Sequence, residues 1–197
     1  MPNTEGQSYA FAAFTPIITG STQGVIHAAE LRSVLARLNQ LATSPFTGVP
    51  GTHFARWNLI DDMPQLGYPS AEDHLKAKYL MLEADFDGDR DVWIDGLATA
   101  IPETITAVYR HCVGFPGLAS LAAFRKYLLM GQLDTTLDFA PYKDSSLDTV
   151  LRALDAQRKF VGFVQQLQGR SDVELRLAFT DFAKRLREAP TPAPGSI

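Results

Sequence analysis

The sequence predicts an α+β fold, and three observations carry that expectation. Four short runs of alternating or continuous apolar residues read as strands, with helical periodicity between the first and second and between the third and fourth. No regular β-α-β alternation is present that would build a doubly wound parallel sheet. At 197 residues with 46% hydrophobic content, the chain supports one sizeable core, most simply one domain with helical additions.

Residues 1–8 are polar and read as a flexible N-terminus. Tyr9-Ala-Phe-Ala-Ala-Phe-Thr-Pro-Ile17 is a short buried strand, ended by Pro16 and Gly20. From His27 to Leu41, Leu31, Val34, Leu35, Leu38 and Leu41 recur three and four apart, the pattern of a helix packed by one side on a sheet. A Pro/Gly/Thr-rich turn at 43–51 leads into a second strand at 52–60, and 62–78 is a long polar loop containing Pro64, Gly67 and Pro69. The third strand spans 79–86. Asp87-Gly88-Asp89 supplies a turn and a helix N-cap, and Pro102 splits the helical stretch from Val92 to Cys112. After the turn Gly114-Phe-Pro-Gly117 comes a helix over 118–130, then a fourth strand candidate over 135–142. A long helix from Ser145 or Ser146 to about Gln168 and a final helix opened by the capping box Ser171-Asp-Val-Glu174 complete the ordered chain.

This order, β-α-β-β-α-(α)-β and then two helices, closes naturally as a ferredoxin-like βαββαβ antiparallel sheet over residues 9–142. A C-terminal helical extension occupies 143–188, and the Pro-rich tail 189–197 is expected to be disordered or extended. Helices on one side of such a sheet leave the other side open, and sheet-to-sheet dimerisation is the common way to cover it. The two C-terminal helices carry more apolar surface than a sheet edge needs. They either cover the open face within one chain, the simpler reading, or form an interface with a partner or a second copy.

A formal charge of −4 and an isoelectric point near 5.5, with no long Lys/Arg run, argue against nucleic acid and anionic membranes as partners. A neutral or mildly cationic small ligand, or a protein partner, suits the balance better. Cys112 is the single cysteine, which excludes an internal disulfide framework and a Cys-rich metal site and fits a reducing cytoplasm. There is no basic-then-apolar leader, and no window approaches the ~18 apolar residues of a membrane span.

The sequence Phe14-Thr-Pro-Ile17, Gly51-Thr-His-Phe-Ala-Arg-Trp57, Phe86-Asp-Gly-Asp89 and His111-Cys-Val-Gly-Phe-Pro116 resembles a poorly characterised bacterial group of ferredoxin-like proteins of dimeric α/β-barrel type. The resemblance covers about 9–142 and implies that fold, a homodimer and a barrel-like pocket. Its wider superfamily holds haem peroxidases, chlorite-dismutase-like enzymes, cofactor-free monooxygenases and polyketide cyclases, so it transfers no single reaction.

Strand alternation sorts candidate site residues. Leu80, Leu82, Ala84 and Phe86 share one face of the third strand, and Tyr79, Met81, Glu83 and Asp85 the other. On the second strand Phe54, Arg56, Asn58 and Ile60 share a face, so Arg56 and Glu83 meet if the two strands form a hairpin. Such a pair is either an orienting cation beside a carboxylate base whose pKa rises on desolvation, or a structural ion pair. Asn58, Asp85 and Tyr142 are placed as ligand contacts in the same pocket. His53 is a candidate base and His111 a candidate ligand-binding residue. Either imidazole is a candidate haem ligand, set against structural hydrogen bonding for His53 and helix capping for His111. The run Asp85 to Asp91 lacks calcium-loop spacing, since its sixth and twelfth positions are Arg90 and Gly96. Cys112 next to Arg110 and His111 reads as a small hydrophobe rather than a nucleophile. Together these point to a small-organic-ligand-binding protein, with oxidoreductase chemistry as one expectation and a non-enzymatic accessory subunit as the alternative.

Overall fold

Alternation builds the first strand. In β1 (Ser8–Pro16), Tyr9, Phe11, Ala13 and Thr15 are buried while Ala10, Ala12 and Phe14 are not. The computed structural model describes residues 8–63, 67, 74–140, 142 and 144–196. Residues 1–7 of the expected flexible N-terminus 1–8, and 64–66 and 68–73 of the expected loop 62–78, lie outside the described residues; Ser8 is not flexible chain but the buried first residue of β1, paired with Asp87 of the neighbouring strand.

A small exposed hairpin, β2 (Ser21–Thr22) and β3 (Val25–Ile26), follows β1. It turns on Gln23 and Gly24 with φ of 50° and 82°, positive values that glycine adopts freely and glutamine seldom does. The sequence reading places no strand there, because two-residue strands are too short to show alternation. Helix α1 (His27–Asn39) buries His27, Leu31 and Val34. Strands β4 (Thr52–Ile60) and β5 (Tyr79–Asp87) then pair antiparallel with a bulge between Thr52 and Phe54. Asp89 caps α2 (Arg90–Ala100) by accepting the Val92 N–H, and Pro102 opens α3 (Pro102–Tyr109), so the expected split falls at that proline. Helix α4 (Leu121–Met130), capped by Ser120, is tied to α2 by Arg125, which donates to Asp95 at 2.6 and 3.1 Å.

The fourth strand is β6 (Gln132–Leu133), not 135–142. Pairing starts as soon as α4 ends, because Phe14 donates its N–H to the Gly131 carbonyl at 2.8 Å. A Cβ on Gly131 would stand 2.1 Å from the Phe14 carbonyl oxygen, so only glycine lets the chain approach this closely. By Thr135 the chain has left the ladder, retaining a hydroxyl contact of 3.3 Å to the Ala10 carbonyl.

The sheet runs β4-β5-β1-β6 with every neighbour antiparallel, an order compatible with a ferredoxin-like fold. Helices α1 to α4 cover one face. Phe11, Leu82 and Phe86 of the sheet are buried there with Leu31, Ile94 and Phe124 of the helices, and Phe86 stacks on Trp93 at 4.2 Å. Such close apolar packing supplies most of the folding drive.

Helices α5 (Leu147–Gln166) and α6 (Asp172–Glu188) form a hairpin in which Phe163 meets Phe182 at 4.6 Å and Phe179 at 6.2 Å. The expected capping box joins Ser171 to Glu174. Of the two helices, α5 buries Leu151 alone and α6 buries no residue, so the simpler expectation that they cover the open face is not met. The tail turns back on the body: Thr191 donates to Asp148 at 3.3 Å, and Arg152 reaches the Ala189 carbonyl at 3.5 Å. Among the described residues no helix is long and apolar enough to cross a membrane.

Candidate functional site

The register puts Arg56 opposite Glu83, Phe54 opposite Asp85 and Asn58 opposite Met81 on the face that α1 to α4 leave open. This arrangement follows from period-two alternation in two strands whose other faces are apolar. Arg56 Nε donates to Glu83 Oε2 at 2.5 Å, and Asn58 Nδ2 donates to the same oxygen at 3.0 Å. The guanidinium also lies 5.5 Å from the Phe54 ring centroid, within cation–π range. Glu83 raises the Arg56 pKa further, first through the hydrogen bond and then through its charge. Glu83 Oε1 accepts from no described residue, so one carboxylate oxygen is held and the other is left for a ligand donor.

Asp85 stands one alternation further along β5. Burial first, and then the charge of nearby Asp138, push its pKa above the usual carboxylate range; Glu83 adds to this and His53 opposes it. Asp138 Oδ2 is buried and has no hydrogen-bond partner among the described residues. Asp138 belongs to the segment that follows β6, and sequence alternation gave no reason to place it beside Asp85. Of the two carboxylates singled out from the sequence, Asp85 has the raised pKa that general acid or base chemistry needs, whereas Glu83 is already an oriented acceptor.

Of the remaining candidates, His53 stands close enough for its charge to act on Asp85, and Tyr142 and His111 stand apart. His53 lies at the bulge and bonds through Nε2 to Asp87 Oδ1 at 2.7 Å, while Asp87 Oδ2 accepts the Leu147 N–H at 2.7 Å. Asp87 therefore ties the end of the sheet to the start of α5, and His53 orients it. Tyr142 is 59% exposed in a turn whose carbonyl accepts the Ser145 N–H, and none of its described contacts reaches Arg56, Glu83 or Asp85.

His111 is buried on the helical side. Its Nδ1 is 3.2 Å from Nδ1 of His27, and its Nε2 accepts from Arg110 Nε at 3.2 Å. Burial, Arg110 and His27 lower its pKa. With both ring nitrogens taken and 3% exposure, it does not fit the role of haem ligand or of a contact on the open face. His53 is committed to Asp87, and among the described residues no group of three or more His, Cys, Asp and Glu side chains is placed to hold a metal ion. Cys112 is buried, and burial pushes its thiol pKa up to about 12, which keeps it a neutral hydrophobe at ordinary pH. No protein-family model, no curated protein and no solved structure matches this chain.

Proposed function

We propose that this protein binds a small organic ligand on the open face of its sheet, in a site that closes when a second copy covers that face. The observation that carries the reading is the oriented trio of Arg56, Asn58 and Glu83 on an uncovered sheet face, beside the carboxylates of Asp85 and Asp138. A single donor-rich spot in an otherwise apolar strand surface fixes orientation, and neighbouring Phe54, Met81 and Tyr79 supply contact area. In this reading Glu83 and Asn58 hold a polar group of the ligand, and Asp85 takes or gives the proton in any proton-transfer or oxidative step. The resemblance to dimeric α/β-barrel proteins supports the same arrangement, since their pockets lie against this face of the sheet.

The test is native mass spectrometry with an ultraviolet–visible spectrum of protein purified gently. A dimer carrying an organic mass supports the ligand reading, and absorption in the visible range names a chromophoric ligand. A dimer without ligand, whose Glu83→Gln variant also gains or loses no small-molecule binding in a thermal-shift screen, overturns it.

The second reading, an accessory subunit without activity of its own, is favoured by the α5–α6 hairpin, where Phe160, Val161 and Phe179 are about half exposed. Stoichiometric purification with one other protein chain, and no bound small molecule, would favour it.

A further inference from the structure

We infer that what covers the open sheet face is the α5–α6 hairpin of a second copy, exchanged reciprocally, with Arg158 and Arg176 of each hairpin meeting Asp85 and Asp138 of the other chain. This rests on the reading that the open face is a site completed by a second copy, and it names the residues that complete it.

Charge is the first support. The hairpin over 147–188 carries eight Lys/Arg against six Asp/Glu, net +2, so the rest of the chain holds −6 of the formal total of −4. Within the hairpin, Lys159, Arg170 and Arg185 pair with Asp155, Glu174 and Asp181. Arg152, Arg158, Arg176, Lys184 and Arg187 are exposed and have no carboxylate partner among the described residues, and of these Arg158 and Arg176 border the hairpin's exposed apolar side chains. On the open face the situation is reversed. Asp138 Oδ2 is buried without a donor, and the Asp85 carboxylate accepts no hydrogen bond from a described residue. Two cations without acceptors and two carboxylates without donors are complementary.

Helical geometry is the second support. Arg158 lies four residues after Leu154 and three before Val161, and Arg176 three before Phe179, so each arginine borders exposed apolar side chains on its own helix. No charged residue falls between Phe160 and Leu154 around this side of α5, where Val150, Ala153, Gln157, Val161 and Val164 project. That is the composition of an interface core with a charged rim, not of a solvated helix.

Area is the third. The exposed parts of Leu154, Phe160, Val161, Val164 and Phe179 face outward from the hairpin, and those of Phe54, Leu133, Leu137 and Phe139 from the sheet side. Reciprocal exchange would bury roughly 900 Å² of apolar side chain per copy, against the ~800 Å² per partner of a stable interface. The hairpin folded back on its own chain leaves all of this surface in water.

Sedimentation equilibrium on the full chain and two charge-reversed variants tests the exchange. Arg158→Glu with Arg176→Glu, and separately Asp85→Lys with Asp138→Lys, should each weaken self-association by ~100-fold or more, because both place like charges together. Mixed in equal amounts, the two variants should form a heterodimer, since each hairpin then faces the opposite sign. Circular dichroism checks the fold of each variant: Arg158 and Arg176 are exposed, whereas Asp85 and Asp138 are partly buried, so the Asp85→Asn with Asp138→Asn pair, which should also weaken association, stands beside the lysine pair. A monomeric wild-type protein, or dimers of both variants as tight as wild type, overturns the inference. Tight dimers with a bound organic mass would leave ligand binding standing and reject the hairpin as its cover; a mixed heterodimer without any ligand would do the reverse.

Discussion

The Nδ1 atoms of His27 and His111 stand 3.2 Å apart in the interior, and the protons on both rings are dictated from outside the pair. Arg110 Nε can only donate, so His111 Nε2 must accept and its proton sits on Nδ1. His27 Nδ1 then accepts, and His27 Nε2 donates to Thr22 Oγ1 at 3.0 Å. The result is a one-directional chain from Arg110 to the β2–β3 hairpin that exists only while both imidazoles are neutral.

Acidification should therefore destabilise the fold. The folded pKa of His111 is below its ordinary value, so the native state binds fewer protons than the unfolded chain. The stability it contributes is present above about pH 6.5 and lost as pH falls through the lowered folded value. Asp85 acts in the opposite sense at lower pH, since its raised pKa favours the protonated native state there. Melting temperature should fall between about pH 7 and 5.5, and His111→Ala should flatten that slope while costing about 1–3 kcal/mol at neutral pH. An unchanged slope in the variant would assign the pH effect elsewhere.

Glu83→Gln should leave the fold nearly untouched. The Arg56–Glu83 pair is 55% and 29% exposed at its two side chains, so solvent screening and side-chain entropy leave it little net effect on stability. Ligand affinity should drop at least tenfold with the loss of the charged anchor, a change of ~1.4 kcal/mol. A stability loss above about 2 kcal/mol with affinity intact would make the pair purely structural.

The parts of this architecture set by local pattern were legible: the strands around Phe11, Trp57 and Leu82, the helix breaks at Pro102 and the capping box at Ser171. That Arg56 and Glu83 share the open face was legible too, because alternation that keeps Leu80, Leu82 and Trp57 on the core side puts both on the other side; their standing directly opposite each other comes from the pairing in the sheet, since a slip of two residues would keep the same faces. What depends on distant chain segments was not. His27 and His111 are 84 residues apart, and no periodicity links them. Asp138 was read within a strand, where it had no reason to sit over Asp85. The short pairing at Gln132–Leu133 rests on one backbone approach at Gly131 that hydrophobicity does not register.

That approach gives its own prediction. Gly131→Ala would place a methyl group against the Phe14 carbonyl, a backbone atom that cannot swing aside as a side chain tip can. Separating β1 from the end of α4 should cost about 1–3 kcal/mol or more, read as a lower denaturant midpoint. A substitution such as Gly162→Ala, with open space around the added methyl, should instead stabilise the helix by about 0.5–1 kcal/mol. Equal effects from the two would mean that the β1–β6 junction is looser than the 2.8 Å hydrogen bond between Phe14 and Gly131 indicates.

Cys112 should be silent toward thiol reagents in the native state. Its side chain is 2% exposed, its neighbour Tyr109 fully buried, and its thiol pKa is raised to about 12 by burial. The thiolate fraction at pH 8 is then on the order of one in ten thousand, and a reagent must also reach the interior. Labelling with iodoacetamide, followed by intact mass, should therefore proceed only as fast as the segment around the Ile17–Cys112 bridge opens. Because His111 precedes Cys112 and its carbonyl accepts the Ile18 N–H, lowering the pH should accelerate that opening even as it suppresses the thiolate. Measuring the same reagent against a small free thiol at each pH, and dividing out its thiolate dependence, separates the two effects. Faster labelling at pH 5.5 than at pH 7.5 per unit thiolate would connect the histidine relay to the stability of this segment, and equal rates would show that the two are independent.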